Sequence, residues 1–152
     1  MTMATDRRFL PDYPHPSTPT ASVIMKANRG RDTMPELRLR SLLHGSGMRY
    51  RVHLPVRVDS GRPISVDIAF PRQKLAVFVD GCFWHGCTQH RTVPVANSSY
   101  WAPKLQRNAN RDRATVDRLH SAGWTALRLW EHDDPGEARD RIASMLDHRT
   151  RL

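Results

Sequence analysis

The sequence predicts an α/β fold in which a mixed β-sheet is flanked by helices. Helix and strand patterns follow one another in the order α-β-β-β-α-β-α, which is typical of a sheet covered by helices. Residues 75–79 are all apolar, as expected of a central strand buried on both faces. Residues 64–70 alternate between apolar and other side chains, as expected of a strand with one buried face.

The overall charge points to a polyanionic partner. The chain has 152 residues, the length of one ordinary domain, and carries 24 Lys and Arg against 15 Asp and Glu, for a net charge of +9. A small, strongly basic domain is typical of nucleic-acid binding, although the charge could serve solubility alone. Apolar runs are too short for a membrane span or a secretion signal, so we expect a cytoplasmic protein with no membrane partner.

The first third of the chain predicts an arm and then a capped helix. Residues 1–22 hold four prolines among Ser, Thr and Asp, which predicts a disordered arm, and residues 23–152 are expected to form a single domain. The basic residues 25–31 could follow a phosphate backbone or be a solvated lead-in. Thr33 and Glu36 fit the N-cap and third position of a reciprocal capping box, and the helix should stop at Gly45 and Gly47.

Four strands and two further helices complete the pattern. The second strand should place Ile64, Val66, Ile68 and Phe70 on one face. The predicted strands are residues 50–54, 64–70, 75–79 and 124–130, and the predicted helices after a loop at 88–99 are residues 102–122 and a last helix from 134.

The long predicted helix has two different faces. One is apolar except for Asp112, which stands in its middle. The other is basic and carries Lys104, Arg107, Arg111, Arg113 and Arg118. This basic face is a candidate for phosphate contacts.

Two acids stand where neighbouring strands could bring them together. Asp67 lies within an alternating strand, and Val79-Asp80 ends the next strand. A carboxylate together with a carbonyl or a second carboxylate can hold a hard cation such as Mg²⁺, which stabilises a phosphoryl transition state and activates water. An ordinary solvent-facing aspartate explains Asp67 equally well.

His85 and Asp112 form a candidate base and its orienting partner. An imidazole titrates near neutral pH and can take a proton from water, but His85 could also be a metal ligand or a surface side chain. Asp112 needs a partner because an unpaired carboxylate is costly to bury, and either His85 or a nearby arginine would serve. The capping box already explains Glu36, and a second role beside the metal stays open.

A zinc site is predicted around the two cysteines of the chain. Cys82 and Cys87 offer two thiolates, His90 follows three residues later, and His132 follows the last strand. Two Cys and two His satisfy tetrahedral Zn²⁺. Two free thiols are the alternative.

Three aromatic residues are expected in loops rather than on periodic faces. Phe83, Trp84 and Trp101 could wedge between base pairs and unstack them. The alternative is that they pack locally around the zinc loop.

These residues together resemble the very short patch repair endonucleases, a bacterial family of DNA mismatch nickases. The resemblance covers residues 25–147, and the tract 81–85 is distinctive by itself. The motifs that carry it are Met25-Lys26, Arg31-Asp32-Thr33, Glu36, Arg62-Pro63, Asp67, Gly81-Cys82-Phe83-Trp84-His85, Tyr100-Trp101, Asn108, Arg111-Asp112, Gly123-Trp124 and Trp130-Glu131.

The resemblance implies a fold and an activity. It implies a restriction-endonuclease-like core with a structural zinc site, and Mg²⁺-dependent nicking 5′ to the thymine of a T·G mismatch left by deaminated 5-methylcytosine. It further implies a monomer that acts on duplex DNA of the bacterial nucleoid, with mismatch-repair proteins as candidate partners.

The resemblance also implies roles for individual residues. Asp67 and the carbonyl of Val79 would hold Mg²⁺, and His85, oriented by Asp112, would be the general base with Glu36 assisting. Phe83, Trp84 and Trp101 would insert beside the mismatch, and Met25 would enter from the other groove. The matched motifs place Lys26, Asn108 and Arg111 at the DNA as well.

The sequence departs from the family pattern at two places. Asp80 stands where the family has a second histidine, so it could be an additional metal ligand instead. The zinc ligands are rearranged, with Cys87, His90 and His132 standing in for differently placed family ligands.

Two rival functions remain at this point. One is a nuclease of the same fold with another DNA target, and the other is a zinc-stabilised DNA-binding module without cleavage. Asp67, His85 and Asp112 argue against the second, because binding alone requires none of them.

Overall fold

The computed structural model describes residues 30–90 and 98–151, so the predicted arm and the DNA-binding candidates Met25 and Lys26 lie outside it. None of the described helices is both long and apolar enough to cross a membrane. The elements are α1 Met34–Gly45, β1 Arg51–Val56, β2 Ile64–Phe70, β3 Leu75–Asp80, α2 Cys82–His85, α3 Ser98–Ser121, β4 Thr125–Trp130 and α4 Pro135–Thr150.

The four strands form one mixed sheet in the order β1-β2-β3-β4. β1, β2 and β3 pair antiparallel through short connections. β4 is parallel to β3, which requires a crossover between them, and α3 supplies it. The predicted mixed sheet flanked by helices is therefore confirmed.

Helices cover both faces of the sheet. On one face Leu39 and Leu43 of α1 and Ile142 of α4 pack with buried residues of β2, β3 and β4. On the other face Leu119 of α3 packs with Phe78 and neighbouring strand residues. β3 and β4, which are parallel, therefore finish at the same end of the sheet, where α2 begins.

The prediction of one continuous apolar face on β2 is wrong. Ile64 and Val66 belong to the core on the α3 side, whereas Ile68 and Phe70 belong to the core on the α1 and α4 side. The strand changes face at Asp67, where its pairing with β1 is interrupted opposite His53, a residue with φ of 48°. A left-handed backbone at His53 bends the hairpin, so strict alternation cannot continue through it.

The start of α3 also differs from the prediction. The helix begins at Ser98 rather than near residue 102, and Pro103 lies inside it. Trp101 is therefore helical and buried, and Phe83 and Trp84 lie in the single turn of α2 rather than in a loop. The loop placement of these aromatics was thus wrong.

Candidate active site

A cleft of about 790 Å³ opens where β2 separates from β3. The two strands pair only from Ile68 and Val77 onwards, so Asp67 has no backbone partner on β3. Its side chain bridges the gap instead, and Oδ2 accepts a hydrogen bond from the Val79 N–H at 2.9 Å. The strand geometry thus fixes one carboxylate at the floor of the cleft.

The direction of the Val79 carbonyl follows from the same bond. In an extended strand the N–H and C=O of one residue point to the same edge. The Val79 N–H faces Asp67, so its C=O also faces the gap between β2 and β3. In agreement, the carbonyl of the next residue, Asp80, faces the opposite edge and accepts the Glu131 N–H at 2.9 Å. One carbonyl and one carboxylate, both oxygen donors, therefore face the same space.

Asp67 holds its proton more tightly than an ordinary aspartate. Burial raises its pKa to about 6, and the nearby charges of Glu36 and Asp80 add to the effect despite the Val79 hydrogen bond. Negative charge is therefore unfavourable here in the absence of a cation. A divalent cation would relieve this cost, so the donor set fits a hard metal ion such as Mg²⁺.

His85 and Asp112 meet at the opposite wall of the cleft. Gly86, with φ of 72°, ends α2 directly after His85. The His85 Nδ1 lies 2.6 Å from Oδ2 of Asp112 on α3, as the sequence predicted. A carboxylate at this nitrogen favours the Nδ1–H tautomer and leaves the lone pair on Nε2. Within residues 30–90 and 98–151, no hydrogen-bond partner is found for Nε2.

Asp80 does not offer a free carboxylate to a metal. The side chain is buried, and Arg128 donates two hydrogen bonds to it, from Nε to Oδ2 and from an Nη to Oδ1, each 2.6 Å long. The residue that replaces the family histidine is thus occupied in an ion pair, which disfavours its interpretation as a magnesium ligand.

Glu36 performs part of the predicted capping and also lines the cleft. Its N–H donates to the Thr33 hydroxyl at 3.4 Å, as in a capping box. Its carboxylate, however, accepts the N–H of Asp32 at 3.0 Å rather than that of Thr33, so the capping is not reciprocal. With Asp32 and His53 it forms a second group of metal-type donors, in which Arg40 pairs with both acids.

The predicted zinc ligands lie together at the far side of α2. The ligand atoms of Cys82, Cys87, His90 and His132 all lie within 4.8 Å of one another. Their sulfur-to-Nδ1 distances range from 3.0 to 3.9 Å. Ligands of a tetrahedral Zn²⁺, with bonds of about 2.3 Å to sulfur and 2.0 Å to nitrogen, would stand about 3.5 Å apart. The four side chains therefore fit zinc.

The two thiols of this cluster differ in acidity. Burial, together with contacts to Cys87 and Glu131, raises the pKa of Cys82 to about 12. Burial acts in the same direction on Cys87, but hydrogen bonds from the backbone of His90 and Gln89 outweigh it and lower its pKa. Cys87 is therefore the more acidic of the two thiols, and a bound cation would favour both thiolates.

Three aromatic residues form one cluster beside the cleft. Phe83 and Trp84 contact each other and Trp101 edge to face, with ring centroids 4.9 to 5.8 Å apart. Lys104 places its Nζ 5.3 Å from the Trp84 ring. Phe83 and Trp84 are half-buried and line the cleft, whereas Trp101 is buried behind them. The expected local packing is thus found, and insertion of these residues into DNA stays a prediction.

Arginines form the rim of the cleft. Arg62, Arg111 and Arg118 lie at this rim, so Arg118 does not lie on a face remote from the site, whereas Arg128 lies in the cleft wall, paired with Asp80. Arg118 pairs with both oxygens of Asp59 and donates to the Arg62 carbonyl at 2.9 Å, which fixes the turn before β2. Asn108 donates to the Trp84 carbonyl at 3.2 Å and accepts from Arg111, so its amide is engaged within the protein.

Sequence reasoning missed Arg128 and gave no role to Glu131. Arg128 stands on β4 between two buried residues, Leu127 and Leu129, and a charged side chain in such surroundings needs a partner of opposite charge. That signal was present but did not identify the partner. Glu131 accepts the Cys82 N–H at 2.9 Å and so caps α2, a contact that depends on the parallel pairing of β3 and β4.

Comparisons with known proteins identify a family and several relatives of this chain. The family model described as DNA mismatch endonuclease Vsr matches residues 16–91. The type II nicking enzyme V.NaeI of Lentzea aerocolonigenes is 45% identical over 135 residues, 89% of this chain and 80% of the relative. The type II nicking enzyme V.XorIIP of Xanthomonas oryzae pv. oryzae is 38% identical, with 82% and 90% covered. The DNA mismatch endonuclease Vsr of Escherichia coli K12 is 37% identical, with 74% and 69% covered.

Proposed function

Because this chain belongs to the DNA mismatch endonuclease Vsr family, we propose that it nicks one strand of duplex DNA 5′ to the thymine of a T·G mismatch. One observation carries the proposal. The His85–Asp112 pair faces, across one cleft, a carboxylate and a backbone carbonyl that suit a hard cation. A domain that only bound DNA would not need these groups.

Asp67 and the Val79 carbonyl would hold Mg²⁺ in the proposed reaction. When bound, the ion would neutralise charge on the phosphate and lower the pKa of a coordinated water. The raised pKa of Asp67 supports this assignment, because the site favours a cation or a proton over a bare carboxylate. Glu36 is buried at the same cleft and would assist electrostatically.

His85 would accept a proton at Nε2 from the attacking water. Asp112 holds Nδ1 at 2.6 Å and so keeps Nε2 available as the basic atom. The same carboxylate would stabilise the imidazolium that forms when the proton is taken. Both residues would therefore act on the nucleophile rather than on the metal.

DNA recognition would use charge and stacking together. The net charge of +9 and the arginine rim provide attraction to phosphates. Phe83 and Trp84, backed by Trp101, would insert at the mismatch, where a T·G pair is more easily disrupted than a Watson–Crick pair. Met25 and Lys26 would approach from the other side of the duplex, and we infer that one monomer suffices.

The fold and the second metal would support this site. The sheet with an antiparallel β1-β2-β3 portion and a parallel β4 is consistent with a restriction-endonuclease-like core. Zn²⁺ on Cys82, Cys87, His90 and His132 would hold in place the helical turn that carries Phe83, Trp84 and His85. Its role would be structural, because all four ligands come from the protein.

A second candidate function has one observation in its favour. The relatives from Lentzea aerocolonigenes and Xanthomonas oryzae carry the name type II nicking enzyme, which specifies nicking without specifying a mismatch. Nicking of a paired recognition sequence would use the same cleft. The two candidates differ only in which duplex is cut.

A strand-resolved nicking assay separates these possibilities. Each strand of a duplex with one central T·G mismatch is labelled in turn, the flanking bases are varied, and T·A and C·G duplexes serve as controls, with and without Mg²⁺. A Mg²⁺-dependent nick 5′ to the mismatched thymine alone supports the proposal, and equal cutting of paired duplexes supports the second candidate.

Asp67→Ala tests whether the chain is an enzyme at all. We expect this variant to bind the mismatched duplex and not to cut it. If the wild-type protein and the variant bind equally and neither cuts in any flanking context, the chain is a DNA-binding module and both nuclease functions fail.

A further inference from the structure

Arg128 is a half-buried charge in the wall of the cleft that the proposed reaction does not yet use. It lies in the middle of β4, beside Phe78 of β3, and its guanidinium is centred 5.0 Å from the Phe78 ring. Only 24% of its side chain is exposed. The strand delivers it to the wall of the cleft between β3 and α3.

The guanidinium connects three functional groups. It donates to both oxygens of Asp80 at 2.6 Å, and one Nη lies 3.3 Å from Oδ1 of Asp112. The same Nη lies 3.5 Å from the His85 Nδ1. A planar guanidinium presents its N–H groups in a fixed fork, so its contacts set the orientation of the two carboxylates. The Nδ1 of His85, which donates its proton to Asp112, is a close neighbour of Arg128 and not an acceptor.

Asp112 is held at both of its oxygens as a result. Oδ2 contacts the His85 Nδ1 at 2.6 Å, and Oδ1 faces Arg128. With one oxygen free, the carboxylate could rotate about its terminal torsion, and the imidazole would follow it. With both oxygens held, the plane of the carboxylate and the direction of the His85 ring are fixed together.

We propose that Arg128 is a positioning residue for the His85–Asp112 pair, and that Asp80 holds Arg128 in place rather than binding the catalytic metal. The inference rests on the proposed function for its kinetic consequences, while the geometry that carries it is independent of substrate. Asp80 is suited to this role because both of its oxygens accept from Arg128.

The first test reads the His85–Asp112 hydrogen bond directly in the zinc-loaded protein without DNA. The Nδ1 proton of an imidazole held by a carboxylate resonates far downfield in proton NMR, and His85→Gln assigns the signal. We expect the signal in the wild type, its loss or displacement in Arg128→Met, and its partial return in Arg128→Lys. An unchanged signal in folded Arg128→Met overturns the inference. The matched control is Arg139→Met, which removes an arginine paired to Asp140 on α4.

The second test is a kinetic cycle on the T·G duplex. We expect Arg128→Met to lower the single-turnover cutting rate by about 10- to 100-fold, the loss typical when an imidazole loses a supporting contact, with DNA affinity unchanged. Adding Asp80→Asn to Arg128→Met should cause no further loss, and the Mg²⁺ concentration for half-maximal rate should stay the same. A further loss with a higher Mg²⁺ requirement would show that Asp80 is a metal ligand and overturn its assigned role.

The two tests separate this inference from the proposed function. If the downfield signal depends on Arg128 but no duplex is cut by the wild type, the nuclease proposal fails and the positioning contact stands. If the wild type cuts and the signal and rate are both insensitive to Arg128, the positioning inference fails alone.

Discussion

The cleft and the Cys-His cluster lie on opposite sides of the single turn α2, and they satisfy their polar groups in different ways. In the cluster, four donors from three places in the chain converge within 4.8 Å. In the cleft, Asp67 and Val79 stand on one wall and His85 with Asp112 on the other, with open volume between them.

This difference corresponds to the two uses that proteins make of metals. A structural site supplies all the ligands itself, whereas a catalytic site leaves positions for water and substrate. One helical turn can serve both because Cys82 and His85 sit at its two ends, and Gly86 ends the turn before Cys87 returns to the cluster. We therefore expect damage to the two regions to have separable effects.

The largest expected effect comes from disabling the cleft without touching the cluster. Asp112→Asn should lower the single-turnover nicking rate by about 10³- to 10⁴-fold, because an amide no longer selects the Nδ1–H tautomer of His85. Zinc content and melting temperature should be unchanged, as measured by metal analysis and calorimetry. Asp117→Asn, an exposed acid on the same helix, is the matched control. A rate near that of the wild type would remove Asp112 from the mechanism.

The next largest effect comes from opening the cluster. Cys87→Ser should abolish stoichiometric zinc binding and lower the free energy of unfolding by about 3 kcal/mol or more, because metal affinity at such a site contributes to folding. Metal analysis by mass spectrometry and denaturant unfolding measure these two quantities.

A pair of histidine variants tests whether zinc binding depends on the ligands of the cluster specifically. His132→Asn should weaken zinc retention against a chelator, whereas His148→Asn, which alters an exposed histidine on α4, should not. Equal zinc retention in both variants would exclude His132 as a zinc ligand. The cluster would then no longer differ from the cleft in supplying all four ligands from the protein.

Replacing Asp67 is expected to change stability less than Cys87→Ser does, and to raise it rather than lower it. The folded-state pKa of about 6 lies above the ordinary aspartate value of 3.8, so between these values the unfolded chain releases a proton that the folded chain keeps. Stability therefore falls as the pH rises through this window, and the cost is complete above pH 6. Asp67→Asn should remove it and stabilise the Mg²⁺-free protein at pH 8 by about 1–2 kcal/mol, allowing for partial exposure to solvent.

Denaturant unfolding at pH 4 and pH 8 without Mg²⁺ measures this effect. The gain should be largest at pH 8 and much smaller at pH 4, where Asp67 is protonated in the folded state and only partly ionised in the unfolded state. Asp59→Asn is the control, because hydrogen bonds from Arg118 lower the pKa of Asp59 to about 2 and its removal should bring no gain at pH 8. A loss of stability in Asp67→Asn at pH 8 would contradict the assigned cause.

The smallest expected effect concerns the rim of the cleft. Arg118 pairs with Asp59 at the surface and holds the Arg62 carbonyl. Asp59→Asn should lower the melting temperature slightly in dilute buffer, and the difference should vanish at about 1 M salt, where exposed charges are screened within a few ångströms. A difference that persists in high salt would point to packing rather than charge.

Local patterns predicted much of the fold. The bounds of β2 and the Thr33 N-cap agree with the structure, because alternation and capping act over a few residues. The face change at Asp67 was not predictable, since it depends on the left-handed backbone of His53 on the neighbouring strand. Short-range rules do not include such contacts between strands.

The site was predictable where a single residue would be costly in free energy to bury without a partner. Asp112 on an apolar helix face required a partner, and His85 is that partner. The Cys and His side chains gathered as predicted, and their binding of zinc stays a prediction. The ion pair of Asp80 with Arg128 was not predictable, because Arg128 lies 48 residues away on β4 and only the parallel pairing of β3 and β4 brings them together. Metal binding by Asp80 stays an untested prediction.

The Asp80–Arg128 pair limits which substitutions the protein can accept at these two positions. Loss of Arg128 alone would leave the buried Asp80 carboxylate without its partner, which lowers stability, whereas a neutral pair at both positions carries no such cost. Single-step exchanges therefore pass through a less stable form, and we expect the two positions to change together. Homologues should carry both residues or neither, so a substitution at one position predicts its counterpart at the other.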